Sequence, residues 1–475
     1  MVVPTKRGNR PEGPRRGKQG AGDTEPREGK TTEPLTSGSV STRLQRIAEL
    51  AREDPKRAFR SLAQHIDVEL LHEAFRRTRK DGAVGVDGQT GCEYEEGLEE
   101  NLHSLLDRFK SGRYQAPPVR RTYVPKGDGS ERPIGIPTFE DKVLQRAVVM
   151  VLEAVYEQDF LPCSYGYRPG RSAHQALEAL WRELMAMGGG FVLEVDIKGF
   201  FDSIPYSQLR GILDQRVCDG VLRRTIDKWL AAGVMEDGAV SHPDAGTPQG
   251  GVVSPLLANI YLHEVIDRWF AADVKPRLAG RAFMVRFADD VVMLFASERD
   301  ARRVMDVLPK RLGRYGLTLH PTKTRLLGFR PPTGGTRPPA TKEKGSFDLL
   351  GFTHFWTRSQ RGSWTVKRKT AGKRFGQAVK RVWEWCRTHR HAPVPWQHEQ
   401  LVRKLRGHDG YYGIQGNYDA LVRFRLEVRR AWRRWLDRRS DKAHMAWERF
   451  NRLLERYPLP KPVVRHRLRP SAANP

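Results

Sequence analysis

The chain has 475 residues, and 83 Lys and Arg stand against 56 Asp and Glu, a formal net charge of +27. Apolar residues make up 39%, and 11 Trp, 13 Tyr and 19 Phe need burial, so two or three folded domains are expected and full-length disorder is excluded. No run of about 18 apolar residues exists to span a membrane, and the opening MVVPTKRGNRPEGPRRG has no apolar stretch of a secretory signal. Cys92, Cys163, Cys218 and Cys386 are scattered and form no CxxC pair, which fits a reducing cytoplasm. The positive charge points to a polyanionic partner, most simply nucleic acid. An Arg-rich proteome would give the same charge.

Residues 1–42 are rich in Gly, Pro, Thr, Arg and Glu and read as a disordered basic tail, which either touches RNA or is simply solvated. Leu44, Ile47, Leu50 and Ala51 recur at helical spacing, as do Ile66, Leu70, Leu71, Ala74 and Phe75. A Gly-rich turn follows at 82–88, then a helix over Leu98–Phe109. Residues 119–124 and 132–137 read as strands joined by a hairpin turn at Lys126-Gly-Asp-Gly. Asp141–Asp159 reads as a helix, Phe191–Ile197 as a strand, and Leu256–Phe270 as a buried helix. Phe283–Phe295 reads as two short apolar strands with an acidic pair between them. Val304–Tyr315 reads as a helix, 317–329 as a strand or a loop, and 331–339 as a loop. The mixture through 110–330 is an α+β pattern.

Residues 361–475 hold 29 Lys and Arg against 9 Asp and Glu, together with seven of the tryptophans. Leu421, Phe424, Val428, Trp432 and Trp435 form one helical stripe, and Arg423, Arg425, Arg429, Arg430, Arg433 and Arg434 share the rest of the surface. The stripe reads as helix core. The arginines are the better candidates for RNA contact.

Chemistry concentrates in four places. Asp289-Asp290 lies between apolar strands, where two like charges repel and a divalent cation would relieve them. By itself the pair would be an ordinary turn. Asp196 ends an apolar strand, with Phe201 five residues on. Carboxylates from separate strands are what two-metal nucleotidyl transfer requires. Lys126 and Arg132 flank a hairpin that can fold over a triphosphate, although cations on a hairpin of a basic protein are commonplace. Gly246-Thr-Pro-Gln-Gly-Gly-Val-Val-Ser-Pro255 fixes an irregular backbone ahead of a helix, with Gln249 able to contact a nucleotide.

The order of these segments resembles the reverse transcriptase/maturases encoded by group II introns, from about residue 45 to about 465. It rests on Gly85-Val-Asp-Gly88, Arg132-Pro-Ile-Gly-Ile-Pro137, Ser164-Tyr-Gly-Tyr-Arg-Pro-Gly170, Asp196-Ile-Lys-Gly-Phe-Phe-Asp202, Gly246-Thr-Pro-Gln-Gly-Gly251 and Phe287-Ala-Asp-Asp290, closed by Leu317-Thr-Leu-His-Pro-Thr-Lys323 and Leu349-Leu-Gly-Phe352. Leu405-Arg-Gly-His-Asp-Gly-Tyr-Tyr-Gly413 resembles the maturase or thumb region, which makes His408-Asp409 a structural turn and not a metal site.

The resemblance implies a right-hand polymerase. Fingers and palm would occupy 43–330, a loop and an end-of-palm motif 331–367, a helical thumb/maturase domain 368–465, and a tail 466–475. It makes Asp196, Asp289 and Asp290 the carboxylates that hold Mg²⁺. Lys126, Arg132 and Gln249 would meet the incoming nucleotide, Phe201 would exclude a 2′-hydroxyl, and Lys323 would sit near the leaving pyrophosphate. Arg423, Arg430 and Arg434 would touch RNA. The implied partners are group II intron RNA, an RNA template, a DNA primer and dNTPs. Many members carry an HNH endonuclease with Cys pairs; no such cluster is present, so target cleavage is not expected. The rival readings are a domesticated relative in CRISPR adaptation or phage defence, a binding-only maturase, and an RNA-templated RNA polymerase. No oligomeric state follows from the sequence.

Overall fold

The computed structural model describes residues 37–125, 131–236, 238–241, 246, 250–332, 345–440 and 444–467. Helix α1 (Ser37–Glu53) opens them, so residues 37–42 are helical where tail is expected. Next come α2 (Val68–Arg77), α3 (Gly91–Glu96) and α4 (Leu98–Lys110). Asp67 caps α2 by accepting from the Leu70 N–H at 2.9 Å. Strands β1 (Val119–Pro125) and β2 (Glu131–Ile136) pair antiparallel, Pro125 opposite Glu131. The turn expected at Lys126-Gly-Asp-Gly lies outside the described residues. Helix α5 (Phe139–Asp159) is buried on most sides, through Val143, Leu144, Ala147, Val148 and Val151 among others. Each buried Val or Leu side chain contributes about 1.5–3 kcal/mol of apolar burial. This all-round burial explains why α5 reads so apolar: α1, α2 and α3 pack against it.

The chain continues through α6 (Ala173–Ala186), β3 (Gly190–Val195), α7 (Phe200–Ser203), α8 (Tyr206–Leu213) and α9 (Gly220–Ala231). β4 (Val234–Glu236) then joins β1 in parallel, and β5 (Ala239–Ser241) completes a sheet of order β2-β1-β4-β5. α10 (Ser254–Leu262) runs directly into a π-helical stretch, His263–Val274, so the buried helix expected over 256–270 has two geometries. β6 (Ala282–Phe287) and β7 (Asp290–Phe295) form the expected hairpin, except that Asp290 opens β7 opposite Phe287 instead of lying between the strands. α11 (Glu298–Gly313) starts ahead of the expected Val304, because Ser297 caps it. β8 (Arg325–Phe329) resolves the 317–329 ambiguity: a turn-rich segment, then a strand.

The central sheet has the order β6-β7-β3-β8 and is antiparallel at every pairing. Leu193, Val195, Val291 and Met293 face the large core built with the helices before and after β3. Val192, Val292 and Leu294 face a second core, shared with α6 and the next sheet. Both faces are covered, which is why these strands read as unbroken apolar runs.

A three-stranded sheet follows: β9 (Ser346–Leu349), β10 (Phe352–Arg358) and β11 (Trp364–Thr370), in the order β11-β10-β9. β11 runs across the 367/368 boundary expected from composition, because that boundary marks a change of charge and not a break in the backbone. The helices α12 (Gly372–Thr388), α13 (Val394–Tyr412), α14 (Tyr418–Asp437) and α15 (Trp447–Arg456) come last. Their own core contains Leu401, Leu405, Phe424, Val428, Trp432 and Phe450. The stripe on α14 is core, as its spacing implies; Trp432 is buried and Trp435 packs against the cluster. No helix among the described residues is long and apolar enough to cross a membrane.

Candidate active site

Strand register brings the acids together. In the β3–β7 pair, Val195 stands opposite Val291. One step further along an antiparallel ladder, Asp196 faces Asp290. In the β6–β7 pair, Phe287 stands opposite Asp290, leaving Ala288 and Asp289 as a two-residue turn. Ala288 takes the left-handed conformation, φ +56°, which such a tight turn requires and which costs a non-glycine residue about 1–2 kcal/mol.

The turn is held from beneath. The Arg286 guanidinium is fully buried and donates from Nε and Nη2 to Asp267 at 2.8 and 2.6 Å. Its Nη1 donates to the Ala288 carbonyl at 3.1 Å and to Asn259 Oδ1 at 2.8 Å, and Nη2 also reaches Ser164 Oγ at 2.8 Å. Burial is the largest single influence and pushes the Asp267 carboxyl up, but the Arg286 charge together with hydrogen bonds from His263 and Arg286 outweighs it and holds Asp267 below the usual carboxylate range. The Ser164–Gly170 segment closes over the turn. A Cβ on Gly166 would meet the Ala288 nitrogen at 2.4 Å, so only glycine fits there. Arg168 locks the segment by pairing with Glu157 at 2.9 Å.

The three carboxylates feel one another. Asp290 is open to the cleft, yet protein crowds it on its other sides. That partial desolvation first, and then the charges of Asp289 and Asp196, push its carboxyl up to about 6. Asp289 also shifts upward, chiefly by desolvation, with Arg132 working against the shift. Asp196 anchors a turn from the segment before β8: its carbonyl accepts from His320 N at 2.8 Å and Thr324 Oγ1 at 3.2 Å. That turn carries Lys323, whose Nζ is 3.6 Å from Asp196 Oδ2. Asp196, Asp290 and Lys323, with Glu194, Arg325 and Asp348, line an open cavity of about 390 Å³.

Asp196, Asp289, Asp290 and Lys323 are therefore gathered, and Arg132 acts on the two turn carboxylates through its charge. Phe201 stands in α7, half-buried, its ring edge-on to Phe200 at 5.2 Å. Lys126 and Gln249 lie outside the described residues. The loop that contains Gln249 ends at Gly250, where a Cβ would meet the Gly135 carbonyl oxygen of β2 at 2.5 Å. Gly250 thus passes tightly beside the Arg132-containing strand. Among the described residues no group of three His, Cys, Asp or Glu side chains forms a ready-made metal cage. The donor set nevertheless suits Mg²⁺, which takes a few carboxylates and completes its shell with water and phosphate oxygens. The upward shift of Asp290 comes first from desolvation and then from the repulsion of Asp289 and Asp196, and a bound cation would offset both.

Two neighbours escaped the sequence reading. Tyr167, exposed and at φ +55°, has its hydroxyl shifted up by partial burial and then by the Asp289 charge. Arg374, on α12, lowers the Asp290 carboxyl through its charge. The motif containing Tyr167 was visible in the sequence, but nothing there linked it to the acidic turn. Arg374 carried no local signal at all.

Of the arginines on α14, Arg423, Arg430 and Arg434 are exposed. Arg430 pairs with Glu427 at 2.7 Å and Arg423 lies over the Phe375 ring, whereas Arg425 donates to the Pro460 carbonyl at 2.9 Å, Arg429 to Asn451 at 2.6 Å and Arg433 to the Met445 carbonyl at 2.6 Å. His408 stacks on Phe424 at 3.8 Å and burial pushes its imidazole down to about 4, while Asp409 accepts from the Val463 N–H at 3.1 Å. Both are structural, but they stand inside α13 and not in the turn expected from the sequence.

A family model described as reverse transcriptase (RNA-dependent DNA polymerase) matches residues 124–354, the segment that contains all the gathered carboxylates. Protein YkfC of Escherichia coli (strain K12) is 34% identical over 289 residues, 54% of this chain and 75% of YkfC. The group II intron-encoded protein LtrA of Lactococcus lactis subsp. cremoris is 37% identical over 224 residues, 47% of this chain. The chain belongs to the group II intron reverse transcriptase/maturase family. The nuclear intron maturase 2, mitochondrial, of Arabidopsis thaliana is a further relative, 28% identical over 177 residues, 29% of this chain and 24% of that protein. The chain matches 37% of the length of LtrA.

Proposed function

We propose that this family member is an RNA-directed DNA polymerase that copies its host intron RNA and binds that RNA to assist splicing and retrohoming. The observation that carries the reading is the convergence of Asp196, Asp289 and Asp290, from a strand end and a hairpin tip, beside an open cavity. In this reading the β6-β7-β3-β8 sheet is the palm. The helices before it, with β1 and β2, are the fingers, and α12–α15 are the thumb/maturase part.

Asp196, Asp289 and Asp290 would hold Mg²⁺, which when bound activates a primer 3′-hydroxyl and neutralises triphosphate charge. Arg132 supplies fixed positive charge toward the triphosphate. Lys323 holds Asp196 oriented and offers a proton donor beside the cavity. Lys126 and Gln249 complete the nucleotide contacts, and Phe201 presents a wall to a 2′-hydroxyl. The template RNA, DNA primer and dNTPs enter from the open side. The complete set of carboxylates argues against a binding-only maturase.

Primer extension on an RNA template with dNTPs and Mg²⁺ tests the reading. Extension is expected; none from folded, RNA-binding protein would overturn it. Phe201→Ala is expected to raise rNTP incorporation about tenfold or more, since a deleted wall removes a steric penalty; an unchanged rNTP/dNTP ratio would remove Phe201 from the sugar site.

The splicing role is tested by host-intron splicing at low Mg²⁺, where the protein should accelerate the reaction. Exchanging Arg423, Arg430 and Arg434 together for Gln should weaken intron binding and lower its salt slope by about 2–3. An unchanged slope would move the RNA contact elsewhere.

A further inference from the structure

The active-site cleft and the exposed arginines of α14 leave one unusual surface of the C-terminal helices unexplained. Trp396, at the start of α13, is 39% exposed. Trp385 and Trp435 pack against the core of this region, but Trp396 is not among the residues that do. It is held by other rings instead. Trp385 on α12 and His389, the residue just past its end, stack at 4.8 Å with planes 19° apart. Trp396 lies 5.8 Å from Trp385 at 28° and 5.5 Å from His389 at 35°. The three flat groups thus pack against one another at 4.8–5.8 Å, and Trp396 keeps part of its surface open to solvent.

This arrangement is rigid. Gln397, next to Trp396 in sequence, is buried and donates from Nε2 to the carbonyls of His389 at 2.7 Å, Arg390 at 3.2 Å and Ala392 at 2.9 Å. Its Oε1 accepts from the buried Trp432 Nε1 at 2.9 Å. Arg439 adds a bond to the Ala392 carbonyl at 2.6 Å. One amide side chain therefore fixes the α12–α13 connection and the position of the rings on either side of it. Little conformational entropy remains to be lost when something lands on Trp396.

Positive charge lies near the rings. Lys404 Nζ lies 5.1 Å from the Trp385 ring centre, and Arg390 sits on the connection itself. Glu384 and Glu399 are each engaged by a neighbouring arginine, at 3.8 and 2.8 Å. A partly exposed indole with positive charge in its neighbourhood matches a nucleobase with its phosphates. Helical or extended peptides would gain little from a single ring face among cations.

We propose that Trp396 is the stacking platform for an unpaired base of bound RNA, with the flanking phosphates on Arg390 and Lys404. The inference deepens the nucleic-acid role proposed above and rests on it. A paired base cannot use the platform, because its face is covered by its neighbours in the helix. The site therefore distinguishes unpaired RNA from duplex, which the exposed arginines of α14 do not.

The test is equilibrium binding of the full chain to a short oligouridylate and, separately, to an RNA duplex of equal length. Trp396→Leu keeps an apolar side chain without a π face, and Trp396→Tyr keeps a ring. Trp396→Leu is expected to weaken oligouridylate binding about 5- to 100-fold while duplex binding stays within about twofold. Trp396→Tyr should retain most of the affinity. Circular dichroism and thermal melting matching the wild type would show that each variant folds. Trp396→Leu binding oligouridylate like the wild type would overturn the proposal, as would equal losses for single strand and duplex. A platform for a protein partner would give the first of these results. Wild-type protein that binds neither RNA would instead overturn the underlying nucleic-acid reading, so the two failures are separable.

Discussion

Replacing Asp289 and Asp290 together with alanine is expected to lower primer extension by about 10³-fold or more, without loss of the fold. Two-metal transfer has no substitute for its carboxylates: of the three only Asp196 remains, and Arg132 and Lys323 near it repel a cation. The fold should survive because these carboxylates do not hold it together. Asp290 has its carboxyl raised to about 6 by desolvation and by Asp289 and Asp196. A raised carboxyl means that the folded chain holds this proton more tightly than the unfolded chain does. Stability is therefore lost as pH climbs from about 4 to about 6, and stays lower above that. At pH 7 without divalent cations the double variant should melt at the wild-type temperature or slightly higher. Added Mg²⁺ should raise the wild-type melting temperature and leave the variant's unchanged. Proton and cation compete for Asp290, so the Mg²⁺ needed for half-maximal extension should rise as pH falls through about 6. A variant that extends primers, or a wild type whose melting ignores Mg²⁺, would remove these carboxylates from the mechanism.

The acidic site was legible because strand chemistry announces itself over short distances. Apolar runs on both sides of Asp289-Asp290 dictate a hairpin, and a hairpin has only one tip. The facing of Asp196 and Asp290 could not be read in the same way, since it depends on the register between β3 and β7, elements almost a hundred residues apart. The supports of the turn were hidden for a related reason. Arg286 looks like any strand arginine until the π-helical stretch presents Asp267 beneath it, and no periodicity signals a π turn. Composition placed a boundary at residue 367, whereas hydrogen bonding carries β11 through to Thr370. On α14 the helical stripe identified the core, but it could not separate the three exposed arginines from the three bonded to the segment that follows; the partners of the latter group lie between Met445 and Pro460. Sequence thus reported what each segment buries, and missed which distant groups meet at its polar edge.

Asp267→Ala is expected to destabilise this region by about 3–5 kcal/mol, because it strands a fully buried guanidinium without its counter-charge. Thermal or urea unfolding should show the loss at neutral pH. Such a result alone would describe any buried ion pair. The informative variant is Asp267→Leu combined with Arg286→Met, which fills the site with apolar groups of similar volume. Buried pairs replaced in this way commonly regain stability, so most of the loss should be recovered. Catalysis should not recover. Arg286 is also the donor to the Ala288 carbonyl and the link to Asn259 and Ser164, and Asn259 in turn donates to the Gly166 carbonyl at 2.7 Å. Without it the left-handed Ala288 loses the bond that offsets its strain, and the acidic turn is free to shift. Misplacement by a fraction of an ångström suffices to weaken a metal-dependent step. The expected signature is a tenfold or larger fall in the extension rate at saturating dNTP, with the dNTP KM changed much less and the Mg²⁺ requirement raised. Equal recovery of stability and rate would reduce Arg286 to a packing residue. Recovery of stability alone would make the buried pair a positioning device for the carboxylates, acting through the one carbonyl that joins them.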